Sequence, residues 1–234
     1  MTALKQAVYD ANMALPAAGL VTLTWGNVSG VLRDEDLMVI KPSGVDYNKL
    51  TPEQMVVVRL SDGEVIGGGL KPSSDTPTHL VLYRNFPEIG GVCHTHSRFA
   101  TIFAQTGKGI PPLGTTHADY FYGEIPCTEP MAKSETENEY EANTGEVIVR
   151  KYDSLDPNSI PAVLVREHGP FTWGNCAAKA VENAIVLEEV AFMAWHTLNL
   201  SQNALQKMDQ KLLDKHFLRK HGKNAYYGQT AVRE

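Results

Sequence analysis

Residues 55–66 read Met55-Val56-Val57-Val58-Arg59-Leu60-Ser61-Asp62-Gly63-Glu64-Val65-Ile66. A β-branched run, an Asp-Gly pair and a second β-branched stretch form a hairpin signal, because Asp-Gly suits the tight turns that join paired strands. At least part of the sheet is therefore expected to be antiparallel. Working outward, residues 37–40 read as a short strand running into the turn Lys41-Pro42-Ser43-Gly44. Residues 21–32 read as a strand bent or bulged at Gly26-Asn27, 91–95 as a buried strand, and 161–165 as an apolar strand. Helical spacing marks residues 3–15 through Leu4, Ala7, Val8, Ala11 and Leu15. Further helices are expected over 76–86, with Pro77 in the first turn, over 98–105, and over 134–150, where Gly145 is a weak point. A long helix over 176–200 carries the stripe Ala180, Ala184, Leu187, Val190 and Ala191, with Asn175 as its expected N-cap, and a shorter one covers 212–220. Residues 110–130 read as loop with short strands. Strands and helices do not alternate strictly, and no linker divides the chain. The expectation is one α/β domain over 1–234, a mainly antiparallel central sheet flanked by helices, with a disordered tail at 230–234.

The chain has 234 residues, 43% hydrophobic and 21% charged, which excludes a disordered polymer and allows a core without disulfide or metal staples. Its net charge of −6 argues against general nucleic-acid binding, which depends on Lys and Arg meeting phosphates. Cys93, Cys127 and Cys176 are odd in number and widely spaced, so they suggest reduced thiols. Neither a signal peptide nor a membrane span is legible, and a cytoplasmic protein is expected.

His94-Thr95-His96 is the sharpest local feature. On a strand, residues two apart share a face, so two imidazoles would project together toward one metal ion. His168 follows the 161–165 strand and precedes Gly169-Pro170. Asp75 stands just before the 76–86 helix, where it could also be an N-cap. Three His and one Asp suit a nitrogen/oxygen site for Zn²⁺, with Mn²⁺ or Co²⁺ also acceptable. Gly26-Asn27, Lys41-Pro42-Ser43-Gly44 and Lys71-Pro72-Ser73-Ser74 could cradle an anion, the last leading into a helix N-terminus that favours negative charge. His79, His117, His196 and His221 read as structural or surface residues.

Several motifs occur together: Leu23-Thr24-Trp25-Gly26-Asn27-Val28-Ser29, Lys41-Pro42-Ser43-Gly44-Val45-Asp46-Tyr47, Lys71-Pro72-Ser73-Ser74-Asp75-Thr76-Pro77-Thr78-His79, and His94-Thr95-His96-Ser97-Arg98. They continue with the stretch from Gly114 to Gly123, then His168-Gly169-Pro170-Phe171, Leu213-Asp214-Lys215-His216, Arg219-Lys220-His221-Gly222 and Tyr226-Tyr227-Gly228-Gln229. With them the chain resembles the class II aldolase/epimerase family over nearly its whole length, and most closely the branch that epimerises a ketopentose phosphate at C4. The resemblance implies a three-layer α/β/α fold and a metal, usually zinc, held by Asp75, His94, His96 and His168. It implies phosphate contacts from Gly26, Asn27, Ser43, Gly44, Ser73 and Ser74, with Lys41 nearby, and an acid/base pair of Asp119 and Tyr227. It also implies a ring-shaped homotetramer in which His216, Arg219 and Tyr227 reach a neighbouring subunit's site. The implied substrate is L-ribulose 5-phosphate and the implied product D-xylulose 5-phosphate, supplied by breakdown of either L-arabinose or L-ascorbate.

Inversion at C4 by removing its hydrogen is unattractive, since C4 is not next to the C2 carbonyl. Breaking C3–C4 leaves a dihydroxyacetone enediolate and glycolaldehyde phosphate; rotation of the aldehyde and re-addition to its other face then invert C4. The alternative within the family is a fuculose- or rhamnulose-phosphate type aldolase. There the position matching Asp75 is typically Glu, which reaches the carbon to be protonated; the shorter Asp75 favours epimerisation. A non-catalytic adducin-like module could dispense with the metal set altogether.

Overall fold

The computed structural model describes residues 1–202 and 207–227. Among them, seven strands form one sheet: β1 (Asn27–Leu32), β2 (Leu37–Ile40), β3 (Val56–Arg59), β4 (Val65–Gly67), β5 (Gly91–His94), β6 (Ala162–Val165) and β7 (Gly169–Gly174). Their order is β4-β3-β2-β1-β5-β7-β6, and every neighbouring pair is antiparallel. The expected hairpin is β3–β4. The helices are α1 (Thr2–Ala17), α2 (Thr76–Asn85), α3 (Arg98–Thr106), α4 (Thr115–Ala118), α5 (Lys133–Glu137), α6 (Tyr140–Lys151), α7 (Ala177–Leu200) and α8 (Gln210–His221).

Strand alternation splits the core into two layers. Met38, Ile40, Val56, Val58, Val92, Val163 and Val165 face one side, where α2 and α6 bring Leu82, Tyr83 and Ile148. Leu37, Val39, Val57 and Cys93 face the other, against Val8, Ala11 and Leu15 of α1 and Ala180, Val181 and Ala184 of α7. Ala162 and Leu164 complete that second layer against Ala100 and Ala104 of α3 and Leu187 of α7. Each fully buried Val or Leu contributes roughly 1.5–3 kcal/mol, so covering both faces is what makes short strands sufficient. The result is the expected α/β/α sandwich on an antiparallel sheet.

Four local expectations are corrected. The strand expected over 21–32 begins only at Asn27, because Leu23 and Gly26 both take positive φ and close a turn in front of it. A Cβ on Gly26 would stand 2.8 Å from Val21 and 2.9 Å from the His94 carbonyl, so this turn packs directly on the end of β5. The strand expected over 91–95 stops at His94. The helix expected over 134–150 is two helices, broken where Glu139 takes φ 45°. Gly145 is tolerated in α6 for packing: a Cβ there would lie 2.6 Å from Val81 of α2. The cap of α7 is Cys176, without a side-chain hydrogen bond, rather than Asn175. Strand β7 was not expected; Gly169-Pro170 looks like a turn, yet Pro170 sits opposite Leu164 in the ladder and its carbonyl accepts from the Thr95 N–H. The tail expected to be disordered, 230–234, lies outside the described residues.

Candidate active site

The end of β5 and the turns around it enclose a cleft of about 550 Å³, a size suited to a small metabolite. The cleft gathers Gly26, Asn27, Lys41, Ser43, Gly44, Ser73, Ser74, Asp75, His94, His96 and His168. Segments separated in sequence meet through backbone pairing. The Ser43 N–H donates to the Lys71 carbonyl and the Ser73 N–H to the Lys41 carbonyl, both at 3.0 Å, so the two Lys-Pro-Ser turns lie antiparallel. The Tyr47 hydroxyl donates to the Trp25 and Gly26 carbonyls at 3.1 and 2.9 Å and ties the third segment to them.

One nitrogen from each of His94, His96 and His168 lies within 4.8 Å of the others. His96 follows the strand rather than extending it, so the two rings meet through the bend after His94 and not through strand alternation. The Nε2 atoms of His94 and His96 are 3.1 Å apart. His94 Nδ1 lies 2.9 Å from the Pro170 carbonyl, which can only accept; that nitrogen therefore carries a proton and Nε2 is the ring atom left to face the cleft. Burial, reinforced by the neighbouring imidazoles, lowers His96 to about 4 and His168 to about 3, with the Asp75 charge opposing both. Three imidazoles with ring nitrogens converging in this way fit a divalent cation.

Asp75 occupies the N-cap position of α2 but does not cap it. Its Oδ2 accepts instead from Asn27 Nδ2 at 2.6 Å. Burial pushes the Asp75 carboxyl up, but His94, His79, the Asn27 amide and His168 together leave it below the usual carboxylate range. The carboxylate lines the cleft beside the imidazoles without joining their 4.8 Å cluster. Lys41 is 2% exposed, with Nζ 3.5 Å from the Thr24 carbonyl, 3.4 Å from the Pro42 carbonyl and over the Tyr47 ring. Burial lowers it to about 8, against the opposing pull of Asp46.

Asp119, His216, Arg219 and Tyr227 do not line this cleft. They form a second cluster where α4 meets α8. Arg219 Nη2 donates to both Asp119 oxygens at 3.0 and 2.8 Å, and His216 Nδ1 lies 3.0 Å from Asp119 Oδ1. Burial raises the Asp119 carboxyl, and Arg219, His216 and Lys220 outweigh it and hold it low. The Tyr227 ring is exposed, with the Arg219 and Lys220 cations 4.8 and 4.6 Å from its centroid. Two cleft residues escaped the sequence reading: Tyr140, whose hydroxyl is 3.3 Å from His168 Nδ1, and Glu141. Nothing in one helical-looking stretch marks them, because the break at Glu139 that turns them toward the cleft is a tertiary feature.

The chain belongs to the class II aldolase and adducin N-terminal domain family, whose model matches residues 6–195. It is 56% identical over 229 residues to the L-ribulose-5-phosphate 4-epimerase UlaF of Salmonella paratyphi C, covering 98% of this chain and 100% of that one. The protein of the same name from Salmonella typhi is 55% identical over the same span. Among solved structures, an L-fuculose 1-phosphate aldolase superposes with a TM-score of 0.72 at 22% identity, over 92% of this chain and 95% of that one. The L-fuculose-1-phosphate aldolase of Thermus thermophilus gives 0.67 at 26%, over 88% and 100%.

Proposed function

We propose that the protein is an L-ribulose-5-phosphate 4-epimerase that depends on a divalent metal, zinc by choice, and works by C3–C4 cleavage, aldehyde rotation and re-addition. One observation carries the reading. A single cleft holds three convergent imidazoles beside a buried ammonium and two hydroxyl-bearing turns. The full-length likeness to named 4-epimerases supports the same substrate. His94, His96 and His168 would hold the cation, with Asp75 as the fourth ligand. A cation held there would supply positive charge to offset the negative charge that develops as C3–C4 opens.

The protein's own groups do the rest. Gly26, Asn27, Ser43, Gly44, Ser73, Ser74 and Lys41 hold the phosphate, so the aldehyde fragment can turn without leaving. Asp119 and Tyr227 exchange the proton of the C4 oxygen on its two faces. They reach the cleft, with His216 and Arg219, from a neighbouring copy in a homotetramer. We place the enzyme in the cytoplasm, acting on sugar phosphate from L-arabinose or L-ascorbate; no helix among the described residues is long and apolar enough to cross a membrane.

A coupled assay of L-ribulose 5-phosphate conversion to D-xylulose 5-phosphate, with and without chelator, tests the reading. Release of free aldehyde faster than inversion of C4 would convert it to an aldolase. Lys41 gives a further expectation. Its ammonium must be charged to attract phosphate, and its free-state value is about 8. The KM for the sugar phosphate should therefore rise as pH climbs through about 8, and the Lys41→Met variant should show a high KM without that rise. A KM whose pH profile is the same in wild type and variant would remove Lys41 from the phosphate site.

A further inference from the structure

His79 is fully buried, and its Nε2 has no hydrogen-bond partner among the described residues. A buried polar nitrogen left unpaired is costly, so the atom needs a reason. Its other nitrogen supplies one. His79 Nδ1 lies 2.7 Å from the Ser29 hydroxyl, which lies 2.8 Å from the Tyr83 hydroxyl. Ser29 is the one side-chain partner of the Tyr83 phenol among the described residues, and burial keeps that phenol protonated. The phenol therefore donates to Ser29, Ser29 passes its single proton to His79 Nδ1, and the imidazole is left with its own proton on Nε2. This relay presents a fixed, buried N–H donor.

Asp75 stands four residues earlier, and the His79 backbone N–H donates to its carbonyl at 3.1 Å. Residues four apart share one face of a helix. Asp75 is also the acid whose charge acts on His79. The Asp75 carboxylate spends Oδ2 on Asn27 and keeps an oxygen for a second donor. The His79 ring packs edge-on to Phe171, whose ring stacks on His94 at 4.1 Å, so His79 lies directly behind the imidazole cluster.

We propose that His79 is a positioning residue for Asp75: the Tyr83–Ser29 relay fixes it as an Nε2–H donor that aims the Asp75 carboxylate at the three cleft imidazoles. The inference rests on the metal site proposed above. The Asn27 amide already holds the Asp75 carboxylate on one side. A bond from the His79 Nε2–H, still unpaired among the described residues and formed as the carboxylate turns to meet a cation, would hold it on the other. Outer partners of this kind commonly govern affinity by about 10–100-fold.

Two substitutions separate positioning from packing. In His79→Gln the side-chain amide can place a donor where Nε2 stands; in His79→Asn it can replace only Nδ1. Zinc affinity of the purified full chain, measured by competition with a chromophoric chelator, should fall about 10–100-fold in His79→Asn and only a few-fold in His79→Gln. Metal-free melting temperatures should fall to a similar extent in both. Nitrogen-15 spectra of histidine-labelled wild type should show His79 protonated at Nε2, a readout that holds even if a variant fails to fold. Equal zinc affinity in His79→Asn and wild type, equal losses in both variants, or a proton on Nδ1 would overturn the proposal. Failure of the wild type itself to bind zinc would instead overturn the metal site on which it stands.

Discussion

Replacing His96 with alanine should abolish stoichiometric metal binding and cut epimerisation by about a thousandfold or more, the scale on which a preorganised charge stabiliser acts. His96 is the clean choice among the three imidazoles. It follows the end of β5 and is exposed, whereas His94 is buried, stacks on Phe171 at 4.1 Å and bonds the Pro170 carbonyl. Removing the His94 ring would leave a cavity and an unpaired carbonyl, and the loss of activity would be mixed with a loss of about 1–3 kcal/mol of stability. Removing the His96 ring leaves the sheet and both core layers untouched. The expected pattern is a melting curve close to that of metal-free wild type, no bound zinc by elemental analysis, and near-zero turnover. Chelator-treated wild type should behave in the same way and recover when zinc is returned; the variant should not recover. Full turnover in the metal-free variant would show that the imidazoles serve some other purpose.

How much of this was legible beforehand depends on the range of the interaction. The β3–β4 hairpin was legible because Asp62-Gly63 encodes its turn locally, and the stripe of α7 because Ala180, Ala184, Leu187 and Ala191 repeat at helical spacing. Strand β7 was not, because Gly169-Pro170 signals a turn in isolation and only the Gly91–His94 and Ala162–Val165 strands on either side give the backbone its partners. Glu139 is likewise an ordinary helix residue by composition, yet it takes φ 45° between α5 and α6. At the site, the side-chain types of His94, His96 and His168 drew notice from sequence, but the reason for their meeting did not follow from strand alternation. The antiparallel contact of the two Lys-Pro-Ser turns and the Asp119–Arg219 pair are long-range events, with no local signature in either partner. Asp119 in particular belongs with the C-terminal helix and not with the cleft.

That placement leads to the second large effect. If the cluster of Asp119, His216, Arg219 and Tyr227 completes a neighbouring copy's cleft, each site draws its imidazoles from one protomer and Tyr227 from another. His96→Ala and Tyr227→Phe should then each be nearly inactive alone, since each homogeneous assembly lacks one part at every site. Mixed assemblies formed by coexpression in equal amounts should regain about a quarter of the wild-type turnover, because in a closed ring with one repeated interface one boundary in four pairs an intact triad with an intact tyrosine. The recovery should appear only in the fraction that contains both chains, isolated with two different affinity tags. Tyr227→Phe should retain its full metal content throughout, as its ring lies against Arg219 and Lys220 and not among the imidazoles. Mixed assemblies no more active than their parents would place all the groups of one site within one chain, and α8 would then have to fold over its own cleft for Tyr227 to act.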